Sequence, residues 1–510
     1  MYRSALIGIG SLGVIALAVW LAASSSICHP APPAASGDAV GEAVESSARP
    51  ARDEDRWASP PGLFHPDHPL GVTTGVGMIP PRLFKQFDLA DWPAKAHGDA
   101  ERLAATGAGW YRHHSSHFPG FDQQTLERRE YDWTYHDELV RTVQSHDIDI
   151  LLIIGRTNGI ASCRQFTQHL PETYLPTEGE EEADYRHYVR TLVERYDADG
   201  VDDMPDLKAP IRWFQLGNEN DLHYETCVEI KRDYATPEQY LELVRITREE
   251  MREASADARL AASMTFGHVT EAKSGWTERL LGLDDGAILD DIDALDMHDY
   301  SRKLTIQRQR IGMLHDLAGG RVPIWITETS VPGDPEAAEG YDRARQTRML
   351  ASLVGQGLAS GKVQRVFWHA LHDGPPVGKS RQWRVFGTNS LYGCEDPVTR
   401  PKQPPRCSGF ALKPVGRAFA LLSSALEGWT AVDELAGGAG YRVRRGDAGD
   451  ALLLLPGVAS FDAAEALGAD RVWVWDLVEN ATDEPDEGTE VDAHEVARGE
   501  DPLLVMATEG

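Results

Sequence analysis

The chain has 510 residues, 42% of them hydrophobic, enough apolar material for one large globular domain and a smaller companion. Its 80 acidic residues outnumber its 50 basic ones, which gives a formal charge of −30 at neutral pH. A surface of that sign repels phosphate backbones, so nucleic acid is excluded as a partner.

Residues 1–28 are expected to be a signal peptide or membrane anchor, because Ala5 to Ala23 run without a single charge after Arg3. That predicts an exported protein: secreted, periplasmic, or tethered to the outer face of a membrane through this segment. Cys28 follows the bulky Ile27, whereas a lipidated cysteine ordinarily follows a small residue. Cleaved, lipidated and retained forms stay open. Gly8-Ile9-Gly10-Ser11-Leu12-Gly13 matches a dinucleotide fingerprint in letters only, since no soluble strand precedes it. Residues 29–59 are Pro, Ala, Ser, Gly and charge, and read as a disordered linker.

From residue 70 a strand, loop, helix rhythm sets in. Candidate strands are Leu70 to Met78, Ala108 to Arg112, Ile148 to Ile154, Ile211 to Leu216, Leu260 to Met264, Ala294 to Met297, Pro323 to Thr327 and Val363 to Trp368. The clearest amphipathic stretch between them is Pro237 to Thr247, with Thr236 as its N-cap and Pro237 at the first helical position. This is an α/β pattern, and it predicts a (β/α)8 TIM barrel over residues 60–425, with the active site at the C-terminal ends of the strands. An open doubly wound sheet is the rival arrangement, and it leaves unexplained why so many strands end in polar or aromatic residues.

Closing the barrel makes those strand ends neighbours. The second strand ends in Trp110-Tyr111-Arg112-His113-His114, the fourth runs into Asn218-Glu219, and the sixth into His298-Asp299-Tyr300. The seventh ends in Glu328 and the eighth in Trp368-His369. Tyr111 and His113 alternate away from Arg112 and read as packing residues. Two carboxylates facing each other are what a retaining glycosidase needs: one attacks the anomeric carbon, and the other protonates the departing oxygen and later activates water. Arg112 and Tyr300 are suited to keep the attacking carboxylate ionised. Asn218 suits the sugar 2-hydroxyl, Trp368 offers an apolar platform, and His114 and His298 are candidate polar contacts. No metal is expected, because His113-His114-Ser115-Ser116-His117 lacks the partner that would complete a metal spacing. No cofactor is implied; the expected partner is an oligosaccharide, polysaccharide or glycoside substrate.

These residues resemble the clan A retaining glycoside hydrolases: Asn218-Glu219 after strand four, Thr327-Glu328 after strand seven, His298-Asp299-Tyr300 after strand six and Trp368 after strand eight. Within the clan the pattern is most similar to the group containing β-xylosidases and α-L-iduronidases, through Arg112, His114 and the segment Tyr131 to Leu139. The resemblance implies Glu219 as acid/base and Glu328 as nucleophile, acting on β-linked or equivalent equatorial glycosidic bonds, in the manner of a β-xylosidase-like exo-enzyme. Gly217 before Asn218 and Asn220 after Glu219 depart from the pattern, which often has a bulky residue and a proline there. An endo-acting glycanase of the clan, and a carbohydrate-binding surface protein without turnover, are the other readings this sequence admits.

Beyond the helix that starts near Val415 the rhythm changes to short strands, Gly440 to Arg445, Ala451 to Leu455, Arg471 to Leu477 and Pro502 to Met506. They predict a small β-sandwich accessory domain over residues 426–510. Four cysteines follow Cys28. Cys394 with Cys407 is the expected disulfide, Cys163 with Cys227 a second candidate pair, and reduced thiols the alternative.

Overall fold

The computed structural model describes residues 59–76, 92–113, 129–155, 179–220, 236–264, 271–333, 342–373, 388–395, 397–398, 406–407, 409–457, 460–478 and 488–508. The apolar N-terminal segment, almost all of the linker, His114, Cys163 and Cys227 lie outside the described residues. Among the described residues no helix is long and apolar enough to cross a membrane.

Eight parallel strands close into a barrel in sequential order. They are β1 (Leu70–Thr73), β2 (Trp110–Arg112), β3 (Asp149–Ile154), β4 (Trp213–Leu216), β5 (Arg259–Met264), β6 (Ala294–Asp299), β7 (Ile324–Thr329) and β8 (Val363–His369). Every strand expected from the sequence is present, with ends moved by up to five residues. The open sheet is excluded because β1 pairs with β8 as well as with β2.

Two side-chain layers follow from the alternation of a strand. Leu70, Val72, Tyr111, Ile150, Leu152, Ile154, Phe214, Leu216, Leu260, Leu295, Ile324, Ile326 and Trp368 face outward into the main core, against helices such as Thr134–Gln144, Gly179–Arg195 and Arg343–Ala359. Trp110, Leu151, Trp213, Ala261, Ala294, Trp325 and Phe367 point inward and fill the barrel as a separate cluster. Gly71 is the small member of that inner layer: a Cβ there would lie 2.4 Å from the Phe367 ring. Below the layer, Arg365 is 1% exposed, with its guanidinium 4.3 Å from the ring centroids of both Trp110 and Trp325. The flat, weakly hydrated guanidinium is suited to such stacking, and it donates to the Pro66 carbonyl. The barrel is therefore packed beneath the C-terminal ends of its strands.

The helix Pro237–Ala254 starts as the sequence predicts, on a capping box between Thr236 and Gln239, and runs seven residues further than its clearest periodic stretch. Trp92 is buried, and Trp133 and Trp276 pack against the main core.

The C-terminal β-region follows the last barrel helix, Pro414–Ala425. Where two facing sheets were expected, its described strands form one six-stranded antiparallel sheet. Two of them, Ala431–Glu434 and Thr489–Asp492, carry too few apolar residues to be evident from the sequence. One face, with Val432, Tyr441, Val443, Leu453 and Leu504, merges with the main core. Gly355 permits that approach, since a Cβ there would lie 2.3 Å from the Tyr441 ring. The other face packs Leu452, Leu454, Val472 and Val505 against Ala463, Ala493 and Val496, so short loops and turns do the covering that a second sheet was expected to do. Cys394 and Cys407 are bonded, with Cα atoms 5.6 Å apart.

Candidate active site

The inner layer also decides what lies above it. Two residues beyond each floor residue, alternation brings the next side chain inward: Thr73 above Gly71, Arg112 above Trp110, Ile153 above Leu151, Gln215 above Trp213, Ser263 above Ala261, Asp296 above Ala294, Thr327 above Trp325 and His369 above Phe367. Apart from Ile153 this second layer is polar. The pair of candidate catalytic carboxylates stands on top of it.

Arg112 is fully buried and satisfied by four acceptors. Its Nε donates to Gln215 Oε1 at 2.7 Å, Nη1 to Thr73 Oγ1 at 2.9 Å and to Glu328 Oε1 at 2.8 Å, and Nη2 to Asn218 Oδ1 at 2.6 Å. Tyr300 donates its hydroxyl to the other oxygen of Glu328 at 2.6 Å. Glu328 itself is only 6% exposed. A buried carboxylate with a guanidinium on one oxygen and a phenol on the other is held ionised and oriented. Burial, then the charge of Glu328, pushes the Tyr300 phenol well above its ordinary value, so it stays a donor.

Strand parity alone would turn Glu328 outward, since Trp325 and Thr327 both face in. The register between β6 and β7 shifts there: Met297 pairs with Ile326, but His298 pairs with Glu328. The extra residue lets Thr327 and Glu328 both serve the interior, Thr327 through a hydrogen bond to Asp296 and Glu328 through Arg112.

Glu219 leaves β4 through Gly217, whose φ is 64°, and itself has a φ of 49°. Gly217 is thus the residue that lets the turn form. The Glu219 side chain is 27% exposed and reaches His298, whose Nδ1 lies 2.9 Å from its Oε1 and 3.5 Å from Glu328 Oε2. Behind the ring, Asp296 Oδ2 is 3.5 Å from Nε2. Burial opposes a charge on His298, but Glu328, Asp296 and the bonds to Asp296 and Glu219 outweigh it and lift its pKa to about 10. His298, expected as a polar contact in the pocket, is thus a buried imidazolium beside both carboxyl groups.

Oxygens of Glu219 and Glu328 and Nδ1 of His298 lie within 4.8 Å of one another. The distances would suit a metal, but Arg112 and Tyr300 already donate to both oxygens of Glu328, and the buried guanidinium supplies there the positive charge that a cation would bring. One oxygen of each carboxylate therefore lies within 4.8 Å of the other, close enough for both to reach a single bond of a bound molecule. A further acidic cluster, Asp197, Asp199 and Asp203, is taken up by backbone N–H groups of its own loop.

No family model matches the chain, and no curated protein matches its sequence. Among solved structures it is similar to a family 39 glycoside hydrolase from Bacteroides cellulosilyticus, at 14% identity and a TM-score of 0.55, over 88% of this chain and 81% of that one. It is similar to a glucosidase from Croceicoccus marinus, at 13% identity and a TM-score of 0.54, over 88% and 97%. A family 51 α-L-arabinofuranosidase from Bifidobacterium longum matches at 14% identity and a TM-score of 0.53, over 88% and 96%. At such identities the likeness establishes the fold. The chain is a TIM barrel with a separate antiparallel β-region.

Of the residues singled out from the sequence, Arg112, Asn218, Glu219, His298, Tyr300 and Glu328 come together. Trp368 does not join them. It is 1% exposed in the outer core and donates its indole N–H to the Asn389 carbonyl at 2.9 Å, so it offers no face to a sugar. One position on, parity gives the interior to His369, whose ring centroid is 6.1 Å from that of Tyr300. Burial holds His369 neutral by lowering its pKa. Thr73, Gln215, Ser263 and Asp296 were missed, and His369 was named only as a strand end; counting two residues on from the inner Trp213 and Phe367 finds Gln215 and His369, while Thr73, Ser263 and Asp296 follow small residues that give no such signal.

Proposed function

We propose that this protein is a retaining glycoside hydrolase in which Glu328 is the nucleophile and Glu219 the acid/base. The observation that carries the reading is the unequal treatment of two carboxylates within one reaction distance. Glu328 is buried and held by Arg112 and Tyr300, whereas Glu219 is partly open to solvent and joined to a proton-bearing imidazole.

Glu328 attacks the anomeric carbon as the glycosidic C–O bond breaks, and the proton of Glu219 goes to the departing oxygen. Esterification removes the charge of Glu328 and leaves one on Glu219, and His298 lies close enough to both to serve either. Water then attacks the anomeric carbon, its proton returns to Glu219, and the ester bond breaks. Asn218, oriented by Arg112, is placed for the sugar hydroxyl next to the reacting carbon, and His369, beside Tyr300, is the inward residue at the end of β8, where Trp368 was expected to offer a platform.

The similar structures, among them a family 39 glycoside hydrolase, a glucosidase and a family 51 α-L-arabinofuranosidase, support the class of reaction. The finer reading, an exo-acting enzyme of the β-xylosidase and α-L-iduronidase group with β-linked substrates, rests on the sequence motifs. Export rests on the apolar segment Ala5 to Ala23, and the Cys394–Cys407 bridge suits an oxidising compartment.

The test is hydrolysis of aryl β-xylosides, β-glucosides, β-mannosides and α-L-arabinofuranosides, followed by a fluoro-sugar trap and peptide mapping. The expected label is on Glu328. A label elsewhere overturns the assignment, and turnover of none of these sugars favours a carbohydrate-binding protein.

A further inference from the structure

Glu219 is held in a backbone conformation that a glutamate does not choose. Its φ of 49°, two positions after Gly217 at 64°, lies in the left-handed region, where a side chain crowds its own carbonyl. Left to itself the turn would relax and swing the carboxylate away from His298. Strain of this kind persists only where the surroundings over-determine it.

Three fully buried polar residues do that here: Asn220, Ser263 and Tyr240. Asn220 turns its amide back onto the strand it has just left. Its Nδ2 lies 2.8 Å from the Leu216 carbonyl, 2.8 Å from the Ser263 carbonyl and 3.1 Å from the Tyr240 hydroxyl. Ser263 accepts the N–H of Glu219 on its Oγ at 3.0 Å. The β4–β5 pairing ends at Leu216 and Ala262, so no β4 residue pairs with Ser263. The Tyr240 hydroxyl takes that role, accepting the Ser263 N–H at 3.2 Å, and it stands 3.4 Å from the Leu216 carbonyl. Tyr240 is itself fixed: it sits in the first turn of the capped helix Pro237–Ala254, its ring 5.7 Å from that of Trp276.

We propose that Asn220, Tyr240 and Ser263 form a clamp that locks the turn Gly217–Glu219 and aims the acid/base carboxylate at the reacting oxygen. The three are positioning residues: they bind backbone and one another. Asparagine fits at 220 because its amide is a double donor on a stem short enough to reach back four residues, which proline lacks altogether. The clamp rests on the reading of Glu219 as acid/base.

Acid catalysis matters most when the leaving group is poor, and that dependence separates positioning from simple loss of stability. Tyr240→Phe keeps the ring and removes only the hydroxyl; Ser263→Ala removes only the acceptor of the Glu219 N–H. Each is compared with the unaltered enzyme on phenyl and dinitrophenyl glycosides of the sugar it hydrolyses fastest, alongside Tm and a crystal structure. The expected result is a kcat/KM on the phenyl glycoside reduced about tenfold or more, with the dinitrophenyl glycoside changed less than about twofold. The crystal structures should show Glu219 out of the left-handed region and off His298. A lower Tm with both substrates falling alike overturns the proposal. If the unaltered enzyme cleaves none of the glycosides, the functional reading fails separately, and the structures still decide the clamp: Glu219 unmoved in both variants overturns it.

Discussion

Arg112 Nη1 and Glu328 Oε1 are 2.8 Å apart, joining the ends of β2 and β7 across the barrel. The same guanidinium also holds Thr73, Gln215 and Asn218, so it fixes Glu328, the proposed nucleophile, and the Asn218 amide as one unit. An ammonium cannot reproduce a planar fork with four partners. Arg112→Lys is expected to lower kcat/KM on aryl glycosides by about 100-fold, roughly 2.7 kcal/mol of transition-state stabilisation. Activity within about threefold of the unaltered enzyme would show that the charge alone suffices.

The two carboxylates should fail differently. Glu219→Ala is expected to retain turnover of activated aryl glycosides and to gain rate with added azide, which enters the space left by the side chain. Glu328→Gln is expected to be inactive and beyond rescue on the same substrates. Identical behaviour of the two variants in a steady-state assay reverses or removes the assignment.

His298 ties stability to alkaline pH. Its folded pKa is raised from 6.5 to about 10, so its contribution is complete below pH 6.5 and is lost as pH rises through about 10. His136 acts on the other side: burial lowers its pKa to about 3, so the stability it permits is present above 6.5 and lost as pH falls toward 3. Tm measured against pH should decline in both directions from near 6.5, and His298→Asn should flatten the alkaline limb alone. An unchanged alkaline limb contradicts the buried imidazolium.

Trp368 and His369 have exchanged the roles their order in the sequence suggests. Trp368→Phe removes a buried indole N–H partner of Asn389 and should cost about 1–2 kcal/mol in denaturant unfolding, with KM little changed. His369→Ala should raise KM for aryl glycosides or lower kcat, with a smaller effect on unfolding. The reverse pattern would place Trp368 in the substrate pocket after all.

The Cys394–Cys407 bridge closes a loop with a sequence separation of 13. The loop-entropy relation predicts that Cys394→Ser lowers stability by about 3 kcal/mol. Urea unfolding measures it, and adding reductant to the unaltered protein should give the same loss if the bridge acts through the unfolded chain.

The sequence by itself determined the barrel, because eight apolar runs separated by amphipathic stretches leave few other ways to bury their surface. It also located Glu219, Glu328, Arg112, His298 and Tyr300, since polar side chains at the ends of buried strands are costly unless a shared cavity receives them. It did not determine which way each strand-end residue points. That depended on the register shift in β7, which turns Glu328 inward, and on the parity of β8, which buries Trp368 and presents His369. Nor could it disclose the roles of Asp296, Ser263 and Asn220, which depend on partners from other elements. A single chain records the order of its residues. Which of them become neighbours is settled only when strand pairing, side-chain alternation and the demand that every buried polar group find a partner are satisfied together.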